Sequence, residues 1–385
     1  MVADEKARPE RNSGVEVLKI LAILLIVLSH VTGSFRSGVE QVPYSGYVLD
    51  ISCATRDIRY FILQIFSSFG VWGNYIFFVC SAWYLLDSPG LNKKKWFRLL
   101  IEIWIISVVI LAVSYIVRGG NLSVKLIIRS FFPSIFANNW YMTCYLLFYP
   151  IHPLLNGLIE RMDQRRLFRY STAMFILYCC LNYLKYDLFF PSALILWITI
   201  YFVLAYIKRY MSRFAADFKK NTLIFVAGMT AFLMTAFVIN LIGLHVTYMY
   251  DKILHWALKE CNPFLLIATL GLFNIMRNSS FHSRVINYLA GLSLYIYLIH
   301  ENILIRTYLR PYMINYIYET YGYEHLLGCV MVVFGVVLGI GVLGSLVYDR
   351  TMRKIVASFC DVIYDYLRRK YKAIEDRLME NKDYR

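Results

Sequence analysis

Lys19 and His30 stand eleven residues apart in a run that is otherwise almost wholly apolar from Leu18 to Val31. At ~100° and ~1.5 Å per residue, eleven steps of helix make three turns plus roughly 20°, so the two side chains point the same way about 16 Å apart. A cation and a titratable base therefore share one face. Such a pair can do definite chemistry: the ammonium holds an anionic group while the imidazole takes a proton from a hydroxyl. A centred lysine costs ~2.5 to 3.5 kcal/mol in hydrocarbon, so a residue of this kind by default faces a bundle interior and carries function. The plainer alternatives are a His30 that bonds a neighbouring helix and a Lys19 that snorkels to headgroups.

The elements that must position this pair are membrane helices. Of 385 residues, 59% are hydrophobic and only 17% charged, and the mean hydropathy is +0.53. Apolar runs of about 17 to 25 residues give about ten spans. They lie near 15–35, 60–86, 97–117, 139–159, 168–184, 188–207, 222–243, 261–276, 286–306 and 325–347. The runs are continuously apolar and do not alternate as barrel strands do, so the expected fold is an all-α polytopic membrane bundle. Residues 1–14 are expected as a cytoplasmic segment, 15–348 as the transmembrane domain and 349–385 as a cytoplasmic basic amphipathic tail. The first helix is too long, and followed by too many others, to read as a cleaved signal peptide.

Basic residues orient the bundle. With the N-terminus in the cytoplasm, 28 Lys and Arg fall on that side and 11 on the other, and Lys19 completes the total of 40. Without the C-terminal tail the balance is still 18 to 11. Both termini are therefore expected in the cytoplasm. The net charge of +15 reports topology and anionic lipid headgroups, and no nucleic-acid partner is expected.

Orientation turns position into depth. His30 lies ~22 Å from the cytoplasmic start of its helix, and His300 with Glu301 reaches the same level in the ninth span. The fourth span opens at that external level with Asn138, Asn139, Trp140 and Tyr141. Ser81, near the inner end of the second span, returns to the level of Lys19. Glu16 precedes Lys19 by three residues, where it is either an ion-pair partner or an acid favoured in a first helical turn. Val124, Ile127, Ile128, Phe131 and Phe132 suggest a short interfacial helix within 118–137, and Ile355, Phe359, Val362, Ile363 and Tyr366 give the tail an apolar face.

These segments resemble a family. The stretch from Arg11 through Lys19 to His30 is similar to the opening of the acyltransferase-3 family of integral membrane acyltransferases, which usually shows an arginine, ten residues and a histidine. Lys19 stands at the arginine position. The run from Ile76 to Leu86, with Ser81 and Ala82, resembles the family's aromatic, Ser-Gly, aromatic segment, with alanine where glycine is usual. Lys93, Lys94, Lys95 and Arg98 follow, as basic residues do in relatives. Trp140, Tyr141, Tyr145, Leu146, Tyr149, Pro153, Leu155 and Asn156 look like its fourth helix, and the segment from Leu292 to His300 looks like one near its end. The resemblance spans about residues 11 to 348. It implies transfer of an acyl group, often acetyl from acetyl-CoA, to a hydroxyl of a sugar or another envelope molecule at the cell membrane.

The resemblance makes His30 the candidate general base, with His300 and Glu301 orienting it or gripping the acceptor. Lys19, Ser81, Lys93, Lys94, Lys95 and Arg98 become candidates for the acyl-CoA donor, and Asn139, Trp140 and Tyr141 for a carbohydrate or glycolipid acceptor. The alternatives are interfacial anchoring for Trp140 and Tyr141, close helix packing for Ser81 and Ala82, and a plain helix end for His300 and Glu301. His152, His245, His255, His282 and His325 have no metal-ligand spacing, the eight cysteines contain no Cys-x-x-Cys, and no metal is expected. Only Cys53 and Cys261 fall where an external disulfide could form. A lipid-linked-sugar polymerase or flippase would rely on a larger external loop, and a secondary transporter on inverted repeats.

Overall fold

The computed structural model describes residues 11–33, 58–184, 192–245 and 260–380. Most of the expected external loop from 36 to 59, Cys53, His255 and the last five residues fall outside this set. Every described element is helical: α1 Ser13–Gly33, α2 Ile58–Leu85, α3 Lys93–Val117, α4 Val124–Phe131, α5 Trp140–Glu160, α6 Gln164–Met174, α7 Ala193–Tyr210, α8 Phe218–His245, α9 Pro263–Arg277, α10 Arg284–His300, α11 Arg310–Tyr321, α12 Leu326–Thr351 and α13 Arg353–Glu380. A π-helical stretch, Phe175–Leu181, extends α6 to a last turn at Asn182–Leu184.

Among the described residues, seven helices are long and apolar enough to cross a membrane, and eight if α10 and the helix beyond its bend count as one broken span. The expectation of about ten is corrected at two places. The fifth falls on α6 and its π-helical extension, whose first turns carry Arg165, Arg166 and Arg169. The eighth falls on α9, which is apolar but runs only 15 residues. The expected interfacial segment forms α4, where Ser123 caps the helix by accepting from the Leu126 N–H at 3.3 Å.

Helix α1 is the hub. It packs most extensively on α2 and also touches α9, α10 and α12. A Cβ on Gly73 would lie 2.7 Å from the Ala22 carbonyl oxygen, and one on Gly70 would collide with Ser29 Oγ, so these glycines permit the α1–α2 approach. Two to three turns further on, Ala82 is fully buried and Ser81 lies beside it. At its start α1 is fixed by Asn12, whose Oδ1 accepts from the Gly14 N–H at 2.9 Å while Nδ2 donates to the Arg277 carbonyl at 2.7 Å. Ser13 Oγ donates to Asn287 Oδ1 at 2.8 Å and accepts from the Ser283 N–H at 2.8 Å, which brings the first turns of α1 and α10 together.

Helix α5 carries Pro150 and Pro153, which leave the carbonyls four residues earlier without their helical donors. Both are met. Trp96 Nε1 donates to the Leu146 carbonyl at 2.8 Å, tying α5 to α3, and the His152 ring bonds the Tyr149 carbonyl. Asn156 completes the frame by donating to the Leu85 carbonyl at 3.0 Å and accepting from Tyr201 at 2.6 Å.

Candidate active site

Because α1 and α10 run side by side in the same direction, His30 near the end of one meets His300 at the end of the other. His30 Nδ1 lies 3.0 Å from His300 Nε2, and the rings stack with centroids 5.3 Å apart. His30 Nδ1 is also 3.0 Å from Glu301 Oε2. The agreement in depth read from the sequence has become direct contact.

The partners fix the tautomers. His300 Nδ1 is 2.8 Å from the Ile296 carbonyl, which can only accept, so that nitrogen carries the proton and Nε2 of His300 presents a lone pair. His30 Nδ1 then supplies the proton shared toward His300 Nε2 and Glu301. In the neutral ring this leaves Nε2 of His30 as the basic nitrogen. A carboxylate behind an imidazole holds the ring orientation and stabilises the imidazolium that forms when the base takes a proton.

Glu301 is buried and held from two further sides: Arg306 donates to Oε1 at 2.8 Å and Arg310 to Oε2 at 2.9 Å. Both arginines come from beyond the end of α10, where the chain bends by 64° before Ile305–Tyr321. The sequence reading missed them as site residues and counted them as external charge. No local signal in the sequence marks them, because no proline or glycine announces the bend that brings them back to Glu301.

His30, His300 and Glu301 offer three metal-ligand atoms within 4.8 Å, a grouping that histidine spacing in the sequence did not suggest. The carboxylate is already shared by two guanidinium groups, and the two rings already share a proton. This pattern favours a hydrogen-bonded base over a cation site.

Beneath this trio lies a cavity of about 900 Å³, large enough for a sizeable small-molecule ligand. Among the described residues, Arg11, Lys19, Lys95, Arg98 and Arg353 line it against two carboxylates, Glu16 and Glu102. Each carboxylate is taken by a neighbour: Lys19 pairs with Glu16 at 2.9 Å and Arg98 with Glu102 at 3.2 Å. The excess positive charge suits an anionic ligand. Tyrosines contribute much of the remaining wall, including Tyr84, Tyr145 and Tyr149. At the inner end stand Ile26, one turn before His30, and Tyr297, whose ring meets His300 edge-on at 5.8 Å.

The candidates from the sequence divide around this cavity. Lys19, Ser81, Lys95 and Arg98 line it together, as does Tyr141, whose ring lies 6.0 Å from Tyr297. Lys93 and Lys94 do not line it. Lys93 is exposed at the start of α3, while Lys94 reaches Asp361 and Asp365 on α13 at 3.3 and 3.8 Å. Trp140 packs edge-on against Tyr141 at 5.8 Å, outside the cavity lining. Asn139 is buried at the head of α5, its Nδ2 without a hydrogen-bond partner among the described residues. Arg11, Arg353, Glu102 and Tyr297 join the lining without having been singled out in the sequence.

A family model described as an acyltransferase domain matches residues 12–347, which takes in α1 through nearly all of α12. No curated protein and no solved structure matches the chain.

Proposed function

We propose that this chain, which belongs to the acyltransferase-3 family of integral membrane acyltransferases, moves an acetyl group from acetyl-CoA to a hydroxyl of a cell-envelope polysaccharide or lipid-linked sugar. Its place is the cell membrane, with both termini in the cytoplasm. The observation that carries the reading is the orientation of His30, whose Nδ1 proton is shared with His300 and Glu301 at 3.0 Å each, close above a cation-lined cavity.

The chemistry follows from that arrangement. Acyl-CoA is a long thioester arm ending in an anionic nucleotide. Arg11, Lys19, Lys95, Arg98 and Arg353 offer charges for its phosphates, and Tyr84, Tyr145 and Tyr149 offer faces for its base and arm. Nε2 of His30 takes the proton of the acceptor hydroxyl as that oxygen attacks the thioester carbonyl. A carbon–oxygen bond forms, the carbon–sulfur bond breaks, and the CoA thiolate leaves and can recover the proton from His30. General base action of this kind is typically worth ~10² to 10⁴ in rate.

The test is incubation of purified protein in nanodiscs with radiolabelled acetyl-CoA, following thioester loss and acyl-CoA binding beside a His30→Ala control. We expect turnover in the wild type and its loss in the variant with binding retained. A wild type that neither binds nor consumes acyl-CoA, or a His30→Ala protein of unchanged rate, overturns the reading.

A further inference from the structure

Arg310 occupies a place that the base chemistry does not by itself require. It is almost wholly buried, with 2% of its surface exposed, at the first turn of α11. Its guanidinium serves three acceptors that belong to both histidine-bearing helices. Nη1 donates to the His30 carbonyl at 3.3 Å, and Nη2 donates to the His300 carbonyl at 2.9 Å and to Glu301 Oε2 at 2.9 Å. The two carbonyls lie in the last turns of α1 and α10, where helices have no intrahelical donors left and where a cation is favoured by the helix dipole. One side chain thus caps two helix ends and grips the carboxylate between them.

We propose that Arg310 is the positioning residue of this site: a shared C-terminal cap that sets the distance between the two histidine helices and holds Glu301 against His30 Nδ1. The separation of the two rings is then fixed by covalent geometry, because both carbonyls and the carboxylate are referred to one rigid, planar fork. Arg306 has a narrower part, since its Nη1 bonds the far oxygen of the same carboxylate at 2.8 Å. The bend after α10 delivers both arginines. Without it, a continuous helix would carry residue 310 about 15 Å beyond His300 at ~1.5 Å per residue.

Lysine cannot replace this group. It is a compact point charge without the paired, planar donors that reach two carbonyls and a carboxylate at once. In Arg310→Met the carboxylate and both carbonyls lose their common partner. The His30 ring is then free to trade its Nδ1–H form for the other tautomer, and the basic nitrogen no longer faces the reacting hydroxyl.

The experiment combines a spectroscopic and a kinetic arm. Its kinetic arm rests on the acyl-transfer reading; the spectroscopic arm does not. Full-length protein carrying ¹⁵N-histidine is placed in nanodiscs, and the imidazole nitrogens of His30 are read by NMR, assigned by loss of signal in His30→Ala. We expect a predominantly Nδ1-protonated neutral ring in the wild type and a mixture of tautomers in both Arg310→Met and Arg310→Lys. Misplacing a base by about an ångström costs ~10² in rate, so kcat with acetyl-CoA should fall by that factor in Arg310→Met while the KM for acetyl-CoA stays within about threefold. Arg310→Lys should recover no more than a tenth of the lost rate. If Arg310→Met fails to fold, Arg310→Lys decides alone. An unchanged His30 tautomer in a folded variant overturns the proposal, as does a wild-type kcat in Arg310→Lys. Absence of acetyl-CoA turnover in the wild type, with the tautomer shift present in the variants, would remove the acyl-transfer reading and leave the positioning role standing.

Discussion

Replacing Glu301 by Gln tests the base assignment with the smallest change of shape. The side chain keeps its volume, but the buried carboxylate that accepts from Arg306 at 2.8 Å, from Arg310 at 2.9 Å and from His30 Nδ1 at 3.0 Å becomes a neutral amide. Arg310 and His30 Nδ1 share Oε2 while Arg306 holds Oε1, so the single amide oxygen stays with Arg310 and His30 and the NH₂ is set against the Arg306 guanidinium, which can only donate. His30 keeps its Nδ1–H form, and what is lost is the negative charge that stabilises the imidazolium formed when Nε2 takes a proton. His300 Nε2, still an acceptor 3.0 Å from His30 Nδ1, also holds that tautomer. Breaking one member of a buried ion pair costs ~3 to 5 kcal/mol. At about 1.36 kcal/mol per tenfold, the part felt only when His30 becomes cationic gives an expected fall in kcat of about 10²- to 10³-fold. The assay is single-turnover loss of the labelled thioester in nanodiscs, with acyl-CoA affinity measured in parallel. Affinity should change little, because Glu301 does not line the cation-rich cavity. A Glu301→Gln protein that inserts normally and keeps a third or more of the wild-type rate would refute the role given to the carboxylate.

Three further outcomes are expected. Lys19→Ala should raise the KM for acetyl-CoA with a smaller effect on kcat, and Lys19→Arg should retain or improve activity, since a guanidinium adds a bidentate contact to phosphate without losing charge; steady-state kinetics at varied donor decide, and complete loss in Lys19→Arg would mean that lysine itself is needed. Gly73→Leu should fail to form a stable bundle, because even its Cβ would lie 2.7 Å from the Ala22 carbonyl oxygen and 2.7 Å from the Ile26 side chain, which thermal unfolding in detergent would register as a lowered midpoint. Treatment with EDTA and phenanthroline should leave turnover unchanged; a loss that a divalent cation restores would reassign His30, His300 and Glu301 to a metal centre.

Much of the architecture could be read from hydropathy because a membrane helix must satisfy its backbone internally and present a long apolar surface. That is why the runs around α1, α2, α3, α5, α7, α8 and α12 were legible as spans. α9 and α6 show where the reading loses resolution. A 15-residue apolar helix sits below the length that hydropathy alone distinguishes from a buried core helix. α6 begins with three arginines within six residues and then changes to π-helical winding, which no composition window reports.

The site was legible to the extent that chemistry follows helical period and depth. Counting residues along two parallel helices was enough to bring His30, His300 and Glu301 to one level, and the structure puts them in contact. The basic cluster on α3 illustrates the limit of grouping residues by proximity in sequence. Successive positions are turned by ~100° on a helix, so Lys93, Lys94 and Lys95 fan apart, and only Lys95 and Arg98, three residues on, face the same cavity. Arg306 and Arg310 were hidden for another reason. Between Glu301 and Ile305 there is neither proline nor glycine to announce the 64° bend, and a straight extension of α10 would have carried both arginines away from the carboxylate they hold. The bend is stabilised by what it achieves, a buried acid paired with two cations and two helix ends capped by one of them. That energy belongs to the tertiary arrangement and leaves no local mark in the chain.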